Sequence, residues 1–234
     1  MEGWGFSLKS EPRCWSCSFN SQCILATLEK NELCKTAQML HRVRYVESEP
    51  MFHQGAPVIG WYILCQGWAK LIFRTSQGKR VLLKLCHPGD ILGGIAHETH
   101  IVSAVAMGKA VASSIASDAA IALVGQHPEL ALEVSRQLSR DRHMLLGRLA
   151  CFAYRSVRER LAKGLLELGK HYGVHCEQGL LIDLPLSRQD LAELLGASRQ
   201  TVCQELRKLV KRDLIQTKGR RIILTDVAAL RRLE

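Results

Sequence analysis

The chain has 234 residues, 47% of them hydrophobic and 23% charged, the balance of a soluble globular protein with one or two buried cores. Charge interrupts every apolar run well before the roughly 18 residues that a membrane-spanning helix needs, and "MEGWGFSLKSEPR" lacks the apolar segment of an export signal. The chain is therefore expected in the cytoplasm, where nine cysteines serve metal, redox chemistry or burial rather than disulfides, and its net charge of +10 favours a polyanionic partner.

The first cysteines, Cys14, Cys17 and Cys23, stand in "RCWSCSFNSQC", a C-x2-C-x5-C pattern. Iron-sulfur clusters take thiolate ligands from such loops, usually four. A structural zinc site would show a second C-x2-C or a paired His set, and neither is visible. Spacing alone leaves these thiols either as ligands or as unrelated surface groups.

From 42 to 124 the chain reads as short β runs punctuated by Gly, Pro and polar turns, as in "GWYILCQGWAKLIFR" and "VLLKLCHPGDILGG". An all-β roll or barrel of antiparallel strands is expected. Gly67, Gly78 and Gly89 recur every eleven residues, at positions suited to turns of positive φ.

Two long helices follow, with Pro128 in the first turn and Gly173 as the stop. Val134, Leu138, Leu145 and Phe152 recur near a 3.5-residue spacing, a stripe that fits either a dimer seam or packing on the chain's own β domain. Asp141 falls on that stripe. In a parallel dimer its symmetry mate would lie close and oppose association; otherwise it points to solvent beside Arg142.

The last third contains "LSRQDLAELLGASRQTVCQELRKLV". Ser187 is a natural N-cap with Asp190 three positions on, Gly196 ends the first helix and Ser198 caps the second, which makes a helix-turn-helix. A strand pair around Gly219 follows as a basic wing. Between Arg199 and Arg221 there are eight Lys or Arg against Glu205 and Asp213, the footprint of a phosphate-binding face. Arg199, Gln200 and Gln204 are the expected base readers, since Arg grips guanine and Gln adenine with paired hydrogen bonds. Ser198, Thr201, Arg207, Lys208, Lys211, Lys218, Arg220 and Arg221 are better placed for phosphates.

Catalytic motifs are missing. The nine His show no HExxH pairing, and no G-x-S-x-G elbow or Walker loop appears. His97 and His100, with Glu98 between them, make a weak metal site or a solvated loop.

The combination of cysteine loop, β-roll, long helix and winged helix-turn-helix resembles the Crp/Fnr family of bacterial transcription regulators, closest to the oxygen-sensing fumarate and nitrate reduction regulator branch. "CWSCSFNSQC", "HPGDILG", "RERLA" and above all "LSRQDLAELLGASRQTV" carry the resemblance. It implies an α+β chain: a cysteine-bearing loop over 1–27, a cyclic-nucleotide-binding-like β-roll over 28–125, a dimerisation helix over 126–155 and a winged helix-turn-helix over 156–234. It also implies a homodimer on an inverted-repeat operator, contact with RNA polymerase, and a [4Fe-4S] cluster on Cys14, Cys17 and Cys23 that oxygen destroys.

Three departures limit the transfer. The branch's fourth ligand is a cysteine in the strand before the long helix, where this chain has Ser113 and Ser114, so the fourth ligand is open among Cys34, Cys65 and Cys86. Gln200 and Gln204 replace the family's usual Glu and Arg, which predicts a different operator. "GGIAHETHIVSAVA" lacks the Arg-Ser or Arg-Thr pair of cAMP-binding members, which argues against cAMP. The alternative is a family regulator without a cluster, answering another small effector or thiol oxidation.

Overall fold

The computed structural model of the chain describes residues 14, 17, 23–94, 97–151 and 156–233; Phe152, expected on the helical stripe, lies outside them. A 3-10 turn, Ile24–Thr27, leads into helix α1 (Lys30–Met39). Then come strands β1 (His41–Tyr45), β2 (Pro50–Phe52), β3 (Gly60–Arg74), β4 (Arg80–Cys86), β5 (Ile91–Leu92) and β6 (Ser103–Ala116). They form one antiparallel sheet in the order β1-β6-β3-β4, with β2 added to β6 and β5 to β3. This is the expected β-roll.

Alternation along β3 gives that sheet two faces. Tyr62 and Leu64 point into the roll with Phe52 and Leu92. Trp61 and Ile63 point outward, where Ile24, Leu25, Leu33 and Leu130 cover them. The N-terminal turn, α1, helix α2 (Ser117–Gln126) and the start of helix α3 (Pro128–Cys151) therefore pack on the outside of the roll.

Helix α4 (Val157–Tyr172) starts at Ser156, whose side chain accepts from the Glu159 N–H, and stops at Gly173 as expected. After it come β7 (Gly173–Cys176), β8 (Gly179–Ile182), α5 (Arg188–Leu195), α6 (Arg199–Lys211), β9 (Ile215–Lys218), β10 (Arg221–Leu224) and α7 (Val227–Arg231). The wing is larger than the expected strand pair: β7 and β8 extend it to four strands in the order β7-β8-β10-β9. Its core joins Leu161, Leu165, Leu191, Leu206 and Ile222 to Leu82 and Leu85 of β4, so the roll and the helix-turn-helix share one apolar cluster.

Gly67 and Gly78 both need positive φ, 77° and 78°. They differ in surroundings: a Cβ on Gly67 would sit 2.3 Å from the Lys109 carbonyl oxygen, whereas one on Gly78 meets nothing within 4 Å. Gly78→Ala is therefore expected to cost about 1 kcal/mol and Gly67→Ala about 3 kcal/mol or more, measured by urea denaturation. Equal losses would show that the carbonyl contact does not matter.

Candidate nucleic-acid interface and metal centre

The helix-turn-helix is built by its caps. Ser187 Oγ accepts from the Asp190 N–H at 3.1 Å and Asp190 Oδ2 accepts from the Ser187 N–H at 2.9 Å, closing a capping box that starts α5. Gly196, left-handed at φ 61°, ends it. Two residues later Ser198 Oγ accepts from the Thr201 N–H at 3.0 Å and starts α6. Val202, Leu206 and Leu209 bury one face of α6 and leave Arg199, Gln200, Gln204 and Arg207 exposed on the other. That exposed face offers the donors and acceptors that a major groove reads.

The expected phosphate contacts are not equivalent. Arg207, Lys211 and Lys218 are exposed, while Ser198 and Thr201 hydrogen-bond each other at 2.8 Å. Lys208 is 2.7 Å from Glu205, Arg221 is 2.6 Å from Asp183, and Arg220 is paired with Glu47 of the roll. More ties join the two halves. Lys70 of β3 reaches Asp190 Oδ1 at 2.5 Å, and Arg80 of β4 reaches Glu193 Oε1 at 3.1 Å. Lys70, Asp190 and Glu193 have side chains 12%, 5% and 3% exposed, so α5 is clamped to the roll by buried charge. Burial raises the Asp190 pKa, but the bonds from Lys70 and Ser187 outweigh it and hold the carboxyl below its usual range.

On the outer face of the roll, Cys14, Cys17 and Cys23 line one pocket with Cys65, Arg42 and Ser113. Cys65 Sγ lies 3.3 Å from Ser113 Oγ, and Arg42 Nε donates to that hydroxyl at 3.4 Å. Arg42 Nη2 is 4.0 Å from Cys14 Sγ. Burial pushes the Cys14 and Cys65 thiols up and takes Cys23 up to about 12. Among the described residues, no three His, Cys, Asp or Glu side chains gather tightly enough for one metal ion. A polynuclear cluster spaces its ligand sulfurs more widely than a single ion does, and a pocket with four thiols beside a guanidinium fits that donor chemistry. His97 and His100 do not converge: His97 is exposed, while His100 is buried and stacks on Phe52 with ring centroids 3.8 Å apart.

On the long helix the fold gives one charge a partner. Asp141 is turned to the roll, where Lys84 of β4 meets its carboxylate at 2.7 Å and also reaches Asp90 at 3.4 Å. Its charge is answered within the chain, so it does not stand as a bare carboxylate on the helix stripe. Val134 packs with the outer cluster of the roll, whereas Leu138 and Leu145 are 63% and 41% exposed.

Two family models match in tandem: the cyclic nucleotide-binding domain over residues 42–127 and the Crp-like helix-turn-helix domain over 159–233. Together they cover most of the chain in the family's order. The chain belongs to the Crp/Fnr family of transcription regulators. A CRP-like cAMP-activated global transcriptional regulator of Mycobacterium tuberculosis is 26% identical over 89% of this regulator and 95% of its own length. The Anaerobic regulatory protein of Pasteurella multocida is 26% identical over 93% and 81%. FixK2 of Bradyrhizobium japonicum shares the fold, with a TM-score of 0.73 at 20% identity over 83% of this chain and 97% of its own. Family relatives and folds of this kind are regulators and not enzymes. Among the described residues no helix is long and apolar enough to cross a membrane.

Sequence reasoning on this Crp/Fnr regulator missed the clamp between its halves, because Lys70 and Asp190 are 120 residues apart. Lys70→Met strands a buried carboxylate and is expected to lower stability by about 3–5 kcal/mol in urea denaturation, against less than about 1 kcal/mol for Glu47→Ala at the half-exposed Arg220 pair. Acid acts in the same sense. A carboxyl with a depressed folded pKa stabilises fully above its unfolded value of about 3.9, and that contribution is lost as pH falls through the folded value. An unchanged Lys70→Met would show that α5 is not held by this pair.

Proposed function

We propose that this protein is a homodimeric, sequence-specific regulator that reads an inverted-repeat operator through α6 and is switched by oxygen or redox state through a [4Fe-4S] cluster on its N-terminal cysteines. The observation that carries the DNA reading is α6, capped by Ser198, with Arg199, Gln200 and Gln204 exposed over a buried apolar face. In the major groove these three read base edges, while Ser198, Thr201, Arg207, Lys208, Lys218 and Arg220 face phosphates. Leu138 and Leu145 of α3 form the seam with a second copy, and dimer symmetry spaces the half-sites about one helical turn apart. In this reading 1–27 holds the cluster, 28–125 senses, 126–155 dimerises and 156–234 binds DNA. The regulator works in the cytoplasm with RNA polymerase as a partner.

The cluster reading is supported by the pocket shared by Cys14, Cys17 and Cys23 and by the relative named as an anaerobic regulatory protein. Such a cluster supplies oxygen-labile redox chemistry, and the chain's thiols hold it. The second reading, a regulator without a cluster, has its own support in the relative described as cAMP-activated. Iron and acid-labile sulfide in protein purified without air separate the two: colour with stoichiometric iron supports the cluster, and colourless, iron-free protein overturns it.

Readout is tested on the operator. Gln200→Ala or Arg199→Ala is expected to relax preference at one half-site position by about 1–3 kcal/mol, whereas Lys218→Ala weakens all sequences alike and lowers the salt slope by about one. Binding titrations over base-substituted operators and several salt concentrations check both. A base-preference change from Lys218→Ala with none from Gln200→Ala inverts the assignment.

A further inference from the structure

We propose that Cys65 is the fourth thiolate of the N-terminal cluster site, delivered from β3 at the point where the neighbouring strand β6 carries Ser113. This rests on the cluster reading above and assigns the ligand that the family's own pattern does not provide in this chain. Residues 61, 63 and 65 of β3 alternate onto the outer face of the sheet, and the register of β3 against β6 slips between Leu64 and Gln66, with Cys65 as the extra residue of the bulge. Bulges re-aim a side chain, and this one brings Sγ into the pocket that Cys14, Cys17 and Cys23 line. Its 3.3 Å contact with Ser113 Oγ means that a thiol on β3 reaches nearly the same spot as a side chain on β6 would.

The other cysteines whose side chains are described are placed elsewhere. Cys86 is fully buried inside the roll with Leu64 and Leu92, on the opposite face of the sheet. Cys34 lies on α1 and does not line the pocket. Cys176 is exposed on β7 and Cys203 belongs to α6, both in the DNA-binding half. Charge agrees with the assignment. Four thiolates need a counter-charge, and Arg42 stands beside Cys14 and Ser113 to provide it. On ligation each thiol gives its proton to water as its iron-sulfur bond forms, with no change of oxidation state.

Full-length protein reconstituted without air from ferrous and ferric iron in equal amounts with sulfide tests the assignment through iron and sulfide per chain and the visible absorption band. Wild type, Cys34→Ala and Cys86→Ala are expected to hold the cluster, Cys65→Ala to lose it, and Cys65→Ala/Ser113→Cys to regain it. The double variant returns a thiol to the pocket from the adjacent strand, so recovery separates a lost ligand from a damaged fold. Cys65→Ala with the iron, sulfide and spectrum of wild type overturns the proposal, and so does a loss that Ser113→Cys does not restore. Wild type that takes up no iron instead removes the cluster reading itself.

Discussion

The carboxylate of Asp190 is used twice. Oδ2 accepts from Ser187 to start the first helix of the helix-turn-helix, and Oδ1 accepts from Lys70 of the β-roll. Local folding and long-range docking thus meet in one buried group, and neither is free to change alone. Removing a charge from such a site leaves its partner in a poorly solvating interior, which is the reason buried pairs are costly to break even when they are cheap to replace whole. The shared apolar cluster around Leu82, Leu85, Leu161 and Leu191 lies beside the same charged edge, where Arg80 of β4 faces Glu193 of α5.

Strand β3 connects the two sites of interest. It carries Cys65 in the outer pocket and, five residues on, Lys70 at the clamp. Between them the register against β6 slips again from Gln66 to Trp68, around Gly67 at positive φ. One strand thus makes the two sites contiguous; a switch in addition requires that a ligand prefer one arrangement of it.

Much of this was legible in the chain. The helix-turn-helix declares itself because each of its signals is local: Ser187 with Asp190, Gly196, then Ser198 with Thr201, all within a few residues. The roll follows from turn glycines and alternating strands. What stayed hidden depends on distance in sequence. The β7–β8 hairpin joins the wing only through the pairing of β8 with β10, where Ile182 lies opposite Ile222, a partner far along the chain. Asp141 fitted a stripe when judged by spacing alone, and only the fold brings Lys84 to it; the lysine inside the apolar "VLLKL" was the visible hint, since a buried ammonium must find a carboxylate. Cys65 carried no mark beyond its alternation with Trp61 and Ile63, because its meaning arises from a neighbour on another strand.

The wing is held differently from α5. Arg220 is met by Glu47 of the roll, and both side chains are about half exposed, so water already screens the pair and little free energy is stored in it. A nucleic-acid phosphate that met Arg220 would exchange one anion for another instead of neutralising an open charge, and fewer condensed cations would be set free per contact than the count of basic residues implies. The wing thus meets the roll through a screened surface pair, while α5 is held to it by buried charge.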